Sequence, residues 1–136
     1  MKKHILVCGG RDYHDHSVVD KVLKHVKNIC GGDFIVVCGL ARGADSIAAY
    51  WARENDIAIH GYAADWSTYG KSAGPKRNQQ MLDSEPIDLV IAFPGNRGTL
   101  DAITRSRKKG IPVVKVKSNL QFVLDELSSL LVTPSG

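Results

Sequence analysis

The chain has 136 residues, 43% of them hydrophobic, which suffices for one packed core and is too short for two ordinary domains. No apolar run reaches membrane-spanning length, and the opening MKKHILVCGG lacks a signal-peptide cleavage pattern, so a cytoplasmic protein is expected. The net charge of +4 favours anionic partners, nucleic acids and phosphorylated small molecules alike, without choosing between them.

Short apolar, β-branched runs alternate with segments of helical period, which predicts the order βαβαβαβαβα. The first run, HILVC at 4–8, reads as a strand buried on both faces. The loop after it, Gly9-Gly10-Arg11-Asp12-Tyr13, joins glycines that permit close backbone approach to a forked arginine donor. Gly9, Gly10, Arg11 and Asp12 are therefore candidate ligand contacts. His14 and His16 follow two apart with no further ligand at matching spacing, and Cys8, Cys30 and Cys38 form no C-x-x-C pair. Reduced thiols and no metal site are expected.

A helix over 18–29 leads to a second strand, FIVVC at 34–38. Beyond it, Gly39-Leu40-Ala41-Arg42-Gly43-Ala44-Asp45 runs into a helix over 44–54. Small residues there bring a helix N-terminus close to the sheet, where free N–H groups suit an anion or ribose hydroxyls. Gly39, Arg42, Gly43, Ala44 and Asp45 join the candidates; Asp45 is open to the plainer reading of a first-turn acid that suits the helix dipole.

The third strand, IAIHGY at 57–62, precedes a long irregular segment over 63–78, and long loops in compact domains tend to carry function. Trp66 and Tyr69 can stack on a base, and Lys71, Lys76 and Arg77 can neutralise phosphate; alternatively the aromatics cover a core edge and the cations face water. Asp65, Trp66, Lys71, Arg77 and Asn78 are the candidates. A helix over 76–82 leads to the fourth strand, DLVIAF at 88–93, which runs into Pro94-Gly95-Asn96-Arg97-Gly98-Thr99 and a helix over 100–108. Here Pro94, Gly95, Asn96, Arg97, Gly98 and Thr99 read as an anion-binding nest, with glycines for backbone approach and Thr99 as a helix cap. The basic run from Arg105 to Lys109 reads as a solvated helix end. A strand at 112–116 and a helix over 120–131 complete a domain of residues 1–132, with TPSG at 133–136 as a frayed tail.

Parallel neighbours need crossover connections, so the alternation predicts a single Rossmann-like three-layer α/β domain: a five-stranded parallel sheet with helices on both faces. Ligands in such sheets sit outside the carboxyl ends of the strands, where every candidate loop falls.

Taken jointly, Gly9 to Tyr13, Gly43 to Asp45, Ala64 to Trp66 with Tyr69 to Lys71, Ala73 to Asn78 and Pro94 to Thr99 resemble the SLOG superfamily, closest to its YspA-related stand-alone members. That resemblance implies a nucleotide-derived ligand, such as a nucleoside monophosphate, an ADP-ribose-like molecule or a signalling nucleotide, sensed or sequestered in stress or phage-conflict settings. No cofactor is expected. The resemblance also implies a homo-oligomer, for which Tyr50-Trp51 or the terminal helix would supply an apolar patch.

More distantly, the chain is similar to the Lonely Guy phosphoribohydrolases, which cleave an N-glycosidic bond with an arginine and the glutamate that ends Pro-Gly-Gly-x-Gly-Thr-x-x-Glu. Arg77 looks like that arginine, but Ala102 stands at the glutamate position and Asn96 replaces the second glycine. Asp101 lies one residue earlier, a rotation of about 100° on a helix. The missing carboxylate matters because bond cleavage develops positive charge on the ribose, which an anion stabilises. The resemblance therefore implies a binder. On that reading the wild type hydrolyses little and Ala102→Glu, which restores the spacing beside Arg77, is expected to raise hydrolysis; the alternatives are a hydrolase in which Arg77 and Asp101 are catalytic, and a single-stranded DNA binder similar to the DNA-processing protein A core.

Overall fold

The computed structural model describes residues 2–132. Five β-branched runs form β1 (Lys3–Cys8), β2 (Phe34–Cys38), β3 (Ala58–Gly61), β4 (Ile87–Ala92) and β5 (Val113–Lys115). They make one sheet in the order β3-β2-β1-β4-β5, with every pairing parallel. Alternate side chains on the central strands enter opposite layers, as the two-residue period of a strand requires. Ile5, Val7, Val36 and Ile91 pack under α1 (His16–Cys30), α2 (Ala44–Glu54) and α6 (Leu120–Leu131). Leu6, Cys8, Val37 and Val90 pack on the other side under α4 (Ala73–Ser84) and α5 (Arg97–Lys108). The domain is a Rossmann-like three-layer sheet, as the alternation of elements predicts.

Several elements depart from the sequence reading, each for a local reason. The third strand is an edge strand whose Ala58, His60 and Gly61 are exposed, so it is not buried on both faces. The segment over 63–78 is largely helical: α3 (Trp66–Tyr69) and a 3₁₀ turn (Gly70–Ser72) precede α4, which starts at Ala73 and absorbs Pro75. Proline is tolerated in a first turn because its missing N–H would have no helical partner there. Trp51 is 6% exposed and its Nε1 donates to Asp20 Oδ1 at 2.9 Å, which makes it core and removes it from any surface patch; Tyr50 beside it is exposed. The Arg105–Lys109 run is partly tied down, since Arg105 Nε donates to Asp101 Oδ2 and Lys109 Nζ donates to the Leu82 carbonyl at 2.8 Å. The expected tail at 133–136 lies outside the described residues. Among the described residues, no helix is long and apolar enough to cross a membrane.

Chain order reverses at the centre of the sheet. From β1 the chain builds β2 and β3 on one side, then returns to place β4 and β5 on the other. The loops after β1 and β4 therefore leave the sheet in opposite directions, and a crevice opens between them. Gly10 ties this junction together: its N–H donates to the Pro94 carbonyl at 2.8 Å, and its own carbonyl accepts from Ala44 N–H at 3.1 Å and Tyr13 N–H at 3.2 Å.

Gly43 lies at φ +82°, and a Cβ on it would collide with the Gly10 carbonyl and the Arg11 backbone. Gly98, by contrast, has open space where a Cβ would stand and sits within the first turn of α5. Gly43→Ala is expected to lose about 2–4 kcal/mol in urea denaturation, from left-handed strain and overpacking. Gly98→Ala should leave stability unchanged or raise it by up to about 1 kcal/mol.

Candidate functional site

A cavity of about 950 Å³ opens at the carboxyl ends of the strands, in the crevice between the loops after β1 and β4. Five cationic side chains line it: Arg11, Arg42, Lys71, Arg77 and Arg97. They arrive on five separate segments, and the only carboxylates among the lining residues are Asp12 and Asp45. Such a ring of positive charge with low-dielectric walls concentrates anions.

Arg77, from the second turn of α4, is the most constrained of the cations. Its Nη1 donates to the Gly39 carbonyl at 2.6 Å and its Nε to Asn78 Oδ1 at 3.0 Å. Gly39 permits this, because a Cβ there would lie 2.8 Å from Arg77 Nε and closer still to its Cζ and Nη1. Among the described residues Nη2 has no hydrogen-bond partner, so the guanidinium keeps donors for an incoming anion.

Asp45, on the first turn of α2, is 6% exposed and its Oδ2 accepts from Ala41 N–H at 3.3 Å. Burial pushes its carboxyl up to about 6, with the Ala41 amide and then the nearby Arg77 charge opposing the rise. Asp45 is thus the first-turn acid of α2 that the plainer reading describes, and it is also a buried one that lines the cavity. Cys8 and Cys38 lie beneath the site, and burial pushes their thiols up to about 12 and about 11, which leaves them inert as nucleophiles.

Two further walls complete the cavity. The Arg11 guanidinium lies 4.7 Å from the centre of the Trp66 ring, a cation–π contact, and Gly74 lets the indole approach α4 to 3.3 Å of where a Cβ would stand. Opposite, α5 begins at Arg97, three residues earlier than periodicity predicts, with Asn96 as its N-cap and no side-chain cap hydrogen bond. Its first N–H groups are thus open at the cavity beside Asn96, Arg97, Gly98 and Thr99. Thr99 is the third helical residue, buried against Gly95, and does not cap.

The sequence candidates thus divide. Gly9, Arg11, Asp12, Gly39, Arg42, Asp45, Trp66, Lys71, Arg77, Asn78, Asn96, Arg97, Gly98 and Thr99 all line the cavity. Gly10, Gly43 and Pro94 instead form the backbone junction, Ala44 is buried against Gly9, and Gly95 closes over Thr99. Asp65 caps α3, its Oδ1 accepting from Thr68 N–H at 3.1 Å. Asp101 does not line the cavity: its Oδ2 accepts from Asn78 Nδ2 at 3.0 Å and Arg105 Nε at 2.9 Å, which makes it a support for Asn78. Val7, Cys8, Ala41, Gly74, Pro75 and Met81 line the wall unforeseen; they are small or apolar, and no chemical signal marks them in the sequence as ligand contacts.

A family model described as "YspA, cpYpsA-related SLOG family" matches residues 3–69, from β1 to the end of α3. The Gene 61 protein of Mycobacterium phage D29 is 34% identical over 119 residues, covering 82% of this chain and 94% of that protein. The chain belongs to this SLOG family. Solved structures agree on the fold of this SLOG protein. DNA processing protein A (DprA) of Streptococcus pneumoniae superposes with a TM-score of 0.68 at 18% identity, over 96% of this chain and 56% of that one. The SLOG chain thus spans little more than half of DprA. The molybdenum cofactor binding protein of Rippkaea orientalis superposes with a TM-score of 0.67 at 21% identity, over 100% of this chain and 90% of that one.

Two expectations follow for this SLOG protein. Because the Asp45 carboxyl titrates near 6 when folded and near 3.9 when unfolded, the folded state binds its proton more tightly. Stability from this group is therefore greatest below about pH 4, declines as pH rises through about 6 and is lowest above that. Asp45→Asn should flatten the fall in denaturation midpoint between pH 5 and pH 7.5 and raise stability at the upper end by on the order of 1–3 kcal/mol. Ala102 is 2% exposed in the core beneath α5. Ala102→Glu therefore does not restore a catalytic carboxylate but buries a charge, and should cost at least about 3 kcal/mol in the same denaturation assay.

Proposed function

We propose that this SLOG protein binds a nucleotide-derived anion in the cavity, with phosphate at the open N-terminus of α5 and the base against Trp66, and does not turn it over rapidly. One observation carries the reading. Five cations and an uncapped helix N-terminus converge on a single crevice at the point where strand order reverses. Trp66, 46% exposed with Arg11 stacked on it, offers a flat apolar wall at the same rim.

Binding is favoured over N-glycosidic hydrolysis because the expected carboxylate is not delivered. Asp101 is engaged by Asn78 and Arg105, and position 102 carries a methyl group turned into the core. Asp45 is the remaining buried carboxylate of the wall, and it lies beside Arg77 on the β2 side, with the α5 turn on the β4 side.

Native mass spectrometry of purified protein, followed by calorimetry with adenosine monophosphate and ADP-ribose, tests the reading. One ligand per chain is expected, with Arg97→Ala weakening it about 10- to 150-fold through loss of a charge-assisted contact. Trp66 fluorescence should respond to the ligand, and Trp66→Phe should abolish the response while buried Trp51 supplies a constant background. Unchanged affinity in both variants would place the ligand elsewhere. Free base released by the wild type and abolished by Asp101→Asn would establish the hydrolase instead.

A further inference from the structure

On the α4 side of the sheet, away from the cavity, three metal-ligating side chains from three elements meet. His4 comes from β1, His60 from the exposed edge strand β3, and Glu85 from the residue that ends α4. One ligand atom from each lies within 4.8 Å of the other two. His60 Nδ1 and Glu85 Oε1 are 2.5 Å apart, and the His4 and His60 rings meet edge to face with centroids 6.1 Å apart.

Two features separate this cluster from a chance surface ion pair. The Glu85 side chain is only 9% exposed, so a carboxylate is held out of water beside two imidazoles. The ring of His4, on a strand whose following four residues are fully buried, makes no hydrogen bond among the described residues. The half-buried His4 ring thus has no protein partner to displace, and its nitrogens are free to take a cation in place of water.

We propose that His4, His60 and Glu85 form a binding site for a divalent d-block cation of the zinc class, with water as a fourth ligand on the exposed His60 side. Two imidazole nitrogens and one carboxylate oxygen suit borderline ions and disfavour magnesium and calcium, which select oxygen. Bonds of about 2.0–2.2 Å bring tetrahedral donors about 3.3–3.5 Å apart. The 2.5 Å His60–Glu85 contact therefore has to widen by about 1 Å while the longer spacings, all within 4.8 Å, shorten, changes that side-chain rotations supply and for which half-exposed His60 has room. The ion would replace the His60–Glu85 hydrogen bond and clamp the C-terminal end of α4 to β1 and β3. Arg77 lies eight residues earlier on the same helix, about 12 Å along its axis, so the metal would brace the helix that carries Arg77 without touching the cavity.

Metal-stripped protein titrated with zinc by calorimetry, and with cobalt by visible absorption, tests the site. One ion per chain is expected, with cobalt giving the intense ligand-field bands of a four-coordinate centre. His60→Ala and Glu85→Gln should each weaken zinc more than about 10-fold, since even loss of an outer-shell partner costs that much. A His14→Ala/His16→Ala double variant should bind as wild type. His60 is exposed, so its alanine variant is expected to fold as wild type, and circular dichroism of both variants checks this. The proposal is overturned if wild type shows no stoichiometric zinc binding, if His60→Ala binds zinc as tightly as wild type, or if the His14/His16 variant is the one that loses it.

Discussion

The candidate site depends on a backbone junction, and no side chain makes it. Gly10 donates to Pro94 and accepts from Ala44 and Tyr13, so the loops after β1, β2 and β4 share one hinge of peptide groups. Peptide hydrogen bonds are indifferent to side-chain identity, but they demand close approach, which explains the small residues gathered there: Gly9, Gly10, Gly43, Ala44 and Gly95. With the three loops locked, the side chains that follow them, Arg11, Arg42 and Arg97, are delivered to one crevice. The glycines make the cavity possible without lining most of it.

Asn78 links the two halves of the site. It accepts from Arg77 on its own helix and donates to Asp101 and the Gly98 carbonyl of α5. Asp101 in turn receives Arg105. A carboxylate that a glycosidase would expose is here consumed in holding α4 against α5, and the chain's charge balance at the cavity becomes strongly positive as a result. In the function proposed above, the turn at the start of α5 would serve as an anion cradle, with no carboxylate presented beside it.

The fold was legible because strand and helix periods alternate cleanly, and the central strands β1, β2 and β4 show the two-layer burial that such runs predict. Edge positions were less so: burial of β3 depends on its place in the sheet, which no local pattern encodes. The helix expected over 76–82 starts three residues earlier, at Ala73, because Pro75 lies in a first turn where it costs no hydrogen bond. Charged and aromatic site residues could be foreseen by type and loop position. The exceptions, Asp65 and Asp101, are short polar side chains whose partners sit three residues away or on another helix, and sequence alone does not choose between ligand and local partner. His4, His60 and Glu85 left no spacing signal at all, since only the sheet register and the length of α4 bring them together.

The way Arg77 is held has a consequence for selectivity. A free arginine loses about 2 kcal/mol of rotamer entropy when it is fixed on a ligand, whereas Arg77 is already fixed by Gly39 and Asn78 before anything arrives. At the rim, Arg97 is exposed with no hydrogen bond or ion pair among the described residues and keeps that freedom, while Arg11 rests on Trp66 and Arg42 lies 3.6 Å from Asp12 Oδ1, looser holds than that on Arg77. For the ligand proposed above, the crevice would combine a rigid anchor at Arg77 with a more adaptable collar at the rim: the group that meets Arg77 would have one fixed geometry to match, while the groups at the rim, the phosphate at the α5 N-terminus included, could vary in position. Divergence among related chains would be tolerated at the collar long before it is tolerated at the anchor.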